Sequence, residues 1–182
     1  MKPLIIPGTI ACILAFTHAS GQAPPDNSAL CREQMKKLAA LSGQWEGEAS
    51  IQTGPGPAQV ITQKEDVQFK IDSTLLVIEG TGTRSGGNEI VFNAYAVINF
   101  NPGSQSYAFR SFLKDGRSTD AYFKILEQNK FEWGFDIAAN AGKVRYTITL
   151  NDPENTWNEV GEFSRDNTSW SKFMEMRLVK KD

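Results

Sequence analysis

The sequence predicts an all-β fold: a ten-stranded antiparallel up-and-down barrel with an N-terminal capping helix. Three observations carry this. From Trp45 onward, segments rich in β-branched and aromatic residues alternate with turn signals. The spacing of those signals is regular, and no intervening segment shows helical periodicity. Several segments alternate apolar and polar residues with period two, as half-buried strands do.

The first twenty-odd residues stand apart. Lys2 precedes the apolar stretch "LIIPGTIACILAF", which Pro7 interrupts, and "THASG" then supplies small residues. This is the pattern of a secretory signal peptide over 1–21, cleaved after Ala19 or Gly21 to leave Gln22 as the new N-terminus. The apolar run is short for a membrane span. A lipid anchor on Cys12 is disfavoured, because apolar residues follow the cysteine. The expected location is secreted or periplasmic, with no membrane span in the mature protein. Residues 22–28 read as a linker, and 29–182 as one domain.

Cleavage has a chemical consequence. His18 is the chain's single histidine and leaves with the peptide. Cys12 leaves too, so Cys31 has no intrachain partner. A monomer or a weak dimer is expected, the latter permitted by Cys31.

"ALCREQMKKLAAL" (29–41) predicts a helix. Asn27 or Ser28 can cap it, Cys31, Met35, Leu38 and Leu41 or Ser42 fall near one face, and Gly43 stops it. It is expected to cover one end of a core. The turn signals lie at 53–57, 72–74, 84–88, 101–105, 114–117, 127–130, 140–143, 151–155 and 165–169. Connections this short cannot make parallel crossovers, so neighbours in sequence pair antiparallel. Trp45, Gly47, Ala49 and Ile51 alternate with Glu46, Glu48 and Ser50. Phe131, Trp133, Phe135 and Ile137 oppose Lys130, Glu132 and Asp136. Val144, Tyr146, Ile148 and Leu150 oppose Lys143, Arg145, Thr147 and Thr149. Closure removes the two edges that an open ten-stranded sheet would expose. The charged faces of these strands argue against a membrane barrel, which needs an outward apolar band.

The start "L-x-G-x-W-x-G" (Leu41 to Gly47), after a signal peptide and a helix, resembles the lipocalin-like (calycin) superfamily. The ending, Trp157 to Lys181, is similar to that of a family of secreted bacterial lipocalin-like proteins. Its motif positions are Glu159, Gly161, Glu162, Ser164, Asp166, Thr168 or Ser169 with Trp170, and Phe173-Met174-Glu175-Met176. The resemblance implies a lipocalin-like barrel and bacterial origin. Nitrobindin-like haem barrels share the Gly-x-Trp-x-Gly start but hold iron through histidine. The mature chain has none, so no cofactor is expected.

Formal charge is near balance, 19 Lys+Arg against 21 Asp+Glu, which speaks against a nucleic-acid partner. Without histidine, Ser-His-Asp and Cys-His arrangements are excluded, as are the common zinc sites. "GTGTRSGG" (80–87) reads as part of a hairpin turn rather than a phosphate loop. Glu159, Glu162 and Glu175 are the obvious acids for a carboxylate-based enzyme, but no catalytic residue is assigned. The expected function is non-catalytic binding of a small apolar or amphipathic molecule in a barrel cavity. The alternatives are a solidly packed structural or interaction protein of the envelope and, last, the carboxylate enzyme. Candidate ligand contacts are Tyr107, Phe109, Arg110, Trp133, Tyr146, Trp157, Glu159, Phe173 and Glu175. An inward Arg110 can receive a carboxylate; an outward one is merely solvated. The last strand has two readings. One turns Phe173, Glu175 and Arg177 inward and stacks Arg177 on Trp45 where the barrel closes. The other buries Met174, Met176 and Leu178 instead.

Overall fold

In the computed structural model, residues 25–52 and 54–181 are described; the proposed signal peptide, with Cys12 and His18, lies outside them. One helix, α1 (Ser28–Lys36), precedes ten strands. These are β1 (Gly43–Ile51), β2 (Gln59–Lys70), β3 (Leu75–Arg84), β4 (Ile90–Asn101), β5 (Ser106–Leu113), β6 (Ser118–Glu127), β7 (Lys130–Ile137), β8 (Gly142–Asn151), β9 (Thr156–Ser164) and β10 (Ser171–Lys180). Each pairs antiparallel with its sequence neighbour, and β1 pairs with β10 to close the barrel. All nine expected reversals fall between strands. The stretch 80–87 differs from expectation: Gly80 to Arg84 continue β3, and the turn begins only at Ser85.

The expected single helix over 29–41 is divided. α1 ends at Lys36, and a 3-10 turn follows at Ala39–Leu41. The joint is closed by bonds from the Lys37 N–H to the Gln34 carbonyl and from the Leu38 N–H to the Met35 carbonyl. A three-residue turn eclipses positions i and i+3. Met35, Leu38 and Leu41 thus stack toward the barrel, and all three are fully buried. A continuous α-helix would rotate one of them away. Asn27 makes no side-chain cap; Asp26 instead accepts the Ser28 N–H at 2.9 Å.

The helix closes one end of the barrel. Beneath it lie Val67, Leu76, Ile98, Phe131, Trp157 and Leu178, all nearly inaccessible. Tyr107 reaches up from β5 and donates its hydroxyl to the Gln34 carbonyl at 2.8 Å, tying helix to wall.

The last strand takes the second of its two readings. Met176 and Leu178 are buried and Met174 packs on the core, whereas Glu175 and Arg177 face solvent. The register explains this. Leu178 lies opposite Gly47 and Met176 opposite Ala49, both on the inward face of β1. Arg177 is opposite the outward Glu48 and donates to Asn158 at 3.0 Å. The closing pair expected of Trp45 and Arg177 is therefore corrected. Trp45 lies opposite Lys180, whose ammonium sits 5.0 Å above the indole. The indole N–H donates to the Leu41 carbonyl at 2.9 Å, and the ring meets Trp157 edge-on at 5.6 Å. A bulge between Lys172 and Met174 breaks strict alternation, so Phe173 also reaches inward, edge-on to Tyr146 at 5.7 Å.

Candidate ligand site inside the barrel

The inward face of β2 carries Ile61, Gln63, Glu65, Val67 and Phe69: an apolar row with two polar members at its centre. Register places them. Gln63 lies opposite Gly47, and Glu65 opposite Trp45, across the β1 ladder. On the other side, β3 presents Gly82 to Gln63 and Gly80 to Glu65. These glycines are needed there. A Cβ on Gly80 would stand 2.9 Å from the Glu65 carboxylate, and one on Gly82 would stand 2.8 Å from the Gln63 side-chain oxygen. Two larger residues would evict both polar side chains.

Farther around the wall, β9 directs Trp157 and Glu159 inward. Glu159 is only 5% exposed. One of its oxygens accepts the Trp133 indole N–H at 3.0 Å, and the other accepts that of Trp157 at 3.1 Å. Trp133 is held by stacking, with Phe109 on one side at 4.6 Å and Tyr146 on the other at 3.9 Å. The polar groups gathered in this part of the interior are thus two acids, an amide, two indoles and a phenol.

Burial governs their titration. Loss of solvation pushes the Glu159 carboxyl up to about 7, against the pull of the two indole N–H groups. Glu65 is pushed further, to about 8, by desolvation; the Gln63 amide works against this, and the charge of Glu159 adds to it. Desolvation and the same Glu159 charge hold the Tyr146 hydroxyl far above its usual range. The mutual influence places Glu65, Tyr146 and Glu159 in one electrostatic neighbourhood.

Several polar atoms in this neighbourhood are not spoken for. The Gln63 amide N–H donates to Glu65 Oε1 at 2.8 Å. The Gln63 carbonyl, Glu65 Oε2 and the Tyr146 hydroxyl have no partner among the described residues, yet the one fully occluded and unpaired side-chain oxygen there is that of Thr156. Glu65, Trp133 and Tyr146 also keep accessible surface although they point inward. The surface they keep is on the barrel's inner face.

The other expected ligand contacts are distributed otherwise. Phe109 and Trp157 are inside and buried, and Tyr107 is committed to the helix. Arg110 is outside. It makes a two-pronged pair with Asp120, Nη2 to Oδ2 at 2.8 Å, because it lies opposite Val97 and Asp120 on the outer face. Glu175 is outside as well, bonded to Lys172 at 2.6 Å. Of the other acids, Glu162 pairs with Arg145 at 2.8 Å, and that guanidinium stacks 3.9 Å above Trp170. No group of three or more His, Cys, Asp or Glu suited to a metal ion occurs among the described residues. Two surface depressions, about 510 and 480 Å³, flank α1 from outside, and neither is lined by Gln63, Glu65 or Glu159. The sequence reading overlooked Gln63 and Glu65. The signal that finds them is period two along "ITQKEDVQF", where positions 63 and 65 share the face of Ile61, Val67 and Phe69.

No family model matches the chain, and no curated protein matches it in sequence. Among solved structures, it is similar to Rv2717c from M. tuberculosis. The TM-score is 0.60 over 81% of this chain and 97% of that one, at 6% identity. At that identity the likeness is one of fold alone.

Proposed function

We propose that this chain is a lipocalin-like barrel, exported by its N-terminal segment, that binds a small amphipathic molecule inside. The observation that carries the reading is the open polar cluster of Gln63, Glu65 and Tyr146 beside Glu159, set within an apolar interior. Burying a carboxyl without full hydrogen bonding is costly. A barrel whose interior served only for packing would gain stability by replacing Glu65 with an aliphatic residue and Gly80 with something larger. Apolar surface from the surrounding rings supplies the other half of an amphipathic site.

Native mass spectrometry of the protein purified gently from its own host tests this. A co-purifying small molecule, lost on Glu65→Leu substitution, is the expected result. Absence of such a molecule, with no change in Trp133 and Trp157 fluorescence across a panel of amphiphiles, overturns it.

One observation favours a second reading. A carboxyl lifted to about 7, as at Glu159, is suited to proton transfer near neutrality. Both Glu159 oxygens are occupied by indole donors, which suits a fixed anion better than a proton shuttle, so binding remains the preferred reading.

A further inference from the structure

We propose that the ligand of the interior site is a protonated amine, held by hydrogen bonds from its N–H groups to the Glu65 carboxylate and the Gln63 carbonyl. The inference rests on the interior-binding reading and specifies the ligand's polar end.

The argument is one of donor and acceptor balance. Gln63 is only 3% exposed, with its amide N–H given to Glu65 and its carbonyl free. Glu65 receives that single bond on Oε1, while Oε2 takes none from the described residues. Glu159 has its two indole donors and further lone pairs. With Glu65 ionised, the open atoms are therefore acceptors, apart from the Tyr146 hydroxyl, which serves either way. A ligand that completes them must bring donors, and an ammonium brings three.

Charge points the same way. The groups facing this space are Trp45, Gly47 and Ala49 from β1, Ile78, Gly80 and Gly82 from β3, Phe92 from β4 and Phe109 from β5. Trp133 comes from β7, Tyr146 from β8, Glu159 from β9, and Met174 and Met176 from β10. None is cationic. Lys180 reaches inward only at the closed end, where its ammonium lies over Trp45. Arg110, the residue that would have received an anionic ligand, is outside. Two acids of like charge thus face one space with no countercharge among the described residues, a situation that a bound cation relieves. Burial that holds both carboxyls partly protonated supports this, since an entering ammonium shifts them toward the anion.

Octylamine, octanol and octanoate test the proposal by calorimetry at pH 8 with the full chain as purified. Their apolar tails are identical. Octylamine is expected to bind at least tenfold more tightly than the other two, and Glu65→Gln to lose at least tenfold of that affinity. Glu175→Gln, which removes an acid from the outer face, is expected to leave it unchanged. If Glu65→Gln does not fold, the pH series on the unaltered protein decides. An alkylamine stays protonated well past pH 8, like lysine at about 10.4. Octylamine affinity then rises from pH 6 to 8.5 as the interior acids ionise, while that of octanol stays level. Octanol or octanoate binding as tightly as octylamine overturns the amine assignment and leaves interior binding standing. Equal loss in Glu175→Gln overturns it too, as attraction to the surface. If none of the three binds, the interior-binding reading fails and the amine assignment with it.

Discussion

Raising the pH from 5 to 8.5 is expected to destabilise this fold through Glu65 and Glu159. Both folded-state carboxyls lie above the ordinary value of 4.5, at about 8 and about 7. Through this range the folded protein retains protons that the unfolded chain has released, so stability falls as pH rises. The contribution is complete below about pH 4.5 and is gone once pH has passed the folded values. Each pH unit of separation corresponds to about 1.4 kcal/mol. Glu159 alone thus accounts for roughly 3 kcal/mol and Glu65 for roughly 5 kcal/mol. Water entering the space beside Glu65 relieves part of this, and the expected total loss is about 3–5 kcal/mol. That is a large share of a domain's usual 5–15 kcal/mol. Urea unfolding at half-unit pH steps measures it, with the midpoint falling and the slope unchanged. The background is favourable, because the chain's one histidine is His18, outside the barrel segment. Trp133 and Trp157 give a second readout, since their indole N–H groups bond directly to Glu159. Fluorescence should follow its ionisation with a midpoint near 7. A flat midpoint profile, or an equal slope in the double variant Glu65→Gln/Glu159→Gln, refutes the burial argument.

Other substitutions probe the remaining structural claims. Gly82→Val drives a branched side chain into Ile61, Gln63 and Phe92 and should cost about 1–3 kcal/mol in chemical denaturation. Arg110→Ala removes only a solvent-exposed pair with Asp120 and should leave both the urea midpoint and the ligand affinity unchanged. Leu38→Ala empties a fully buried site under the helix and should cost about 2–5 kcal/mol, measured the same way. Ile71 is exposed, β-branched and at φ 49, so Ile71→Asn should raise the melting temperature, by an amount equivalent to about 1 kcal/mol.

The strand plan was legible because its signals are local. Turn chemistry at nine places and period two within strands fix nine antiparallel pairings without reference to anything distant. The inward row of β8, from Val144 to Leu150, could be read directly from alternation. The last strand could not. Its two faces carry Phe173, Glu175 and Arg177 or Met174, Met176 and Leu178, and each set has a chemical rationale. The choice depends on register against β1, where Gly47 and Ala49 admit the larger residues of β10. That pairing joins opposite ends of the domain, and local pattern says nothing of it. The binding cluster was half legible. Glu159, Trp133, Tyr146 and Trp157 stand out as acids and aromatics. Gln63 and Glu65 resemble the solvated face of an ordinary strand unless the apolar residues two positions away are counted with them. Gly80 and Gly82 look like turn residues for a related reason: the sequence shows their small size, and only the neighbouring strand shows what that size accommodates.

The closure of the barrel has a kinetic side. Nine of its ten ladders join consecutive strands and can zip as successive hairpins. The tenth joins Trp45 to Lys180 and Ile51 to Met174, and it forms only when the two ends of the domain meet. Before that moment β1 and β10 are both unpaired edges. Removing β10 would leave a nine-stranded sheet permanently open, with β9 exposing a full row of backbone donors and acceptors to any other strand. A chain shortened at Ser171 is therefore expected to aggregate rather than to survive as a smaller barrel, and a permuted chain that begins at β2 and ends with β1 fused to β10 should still close.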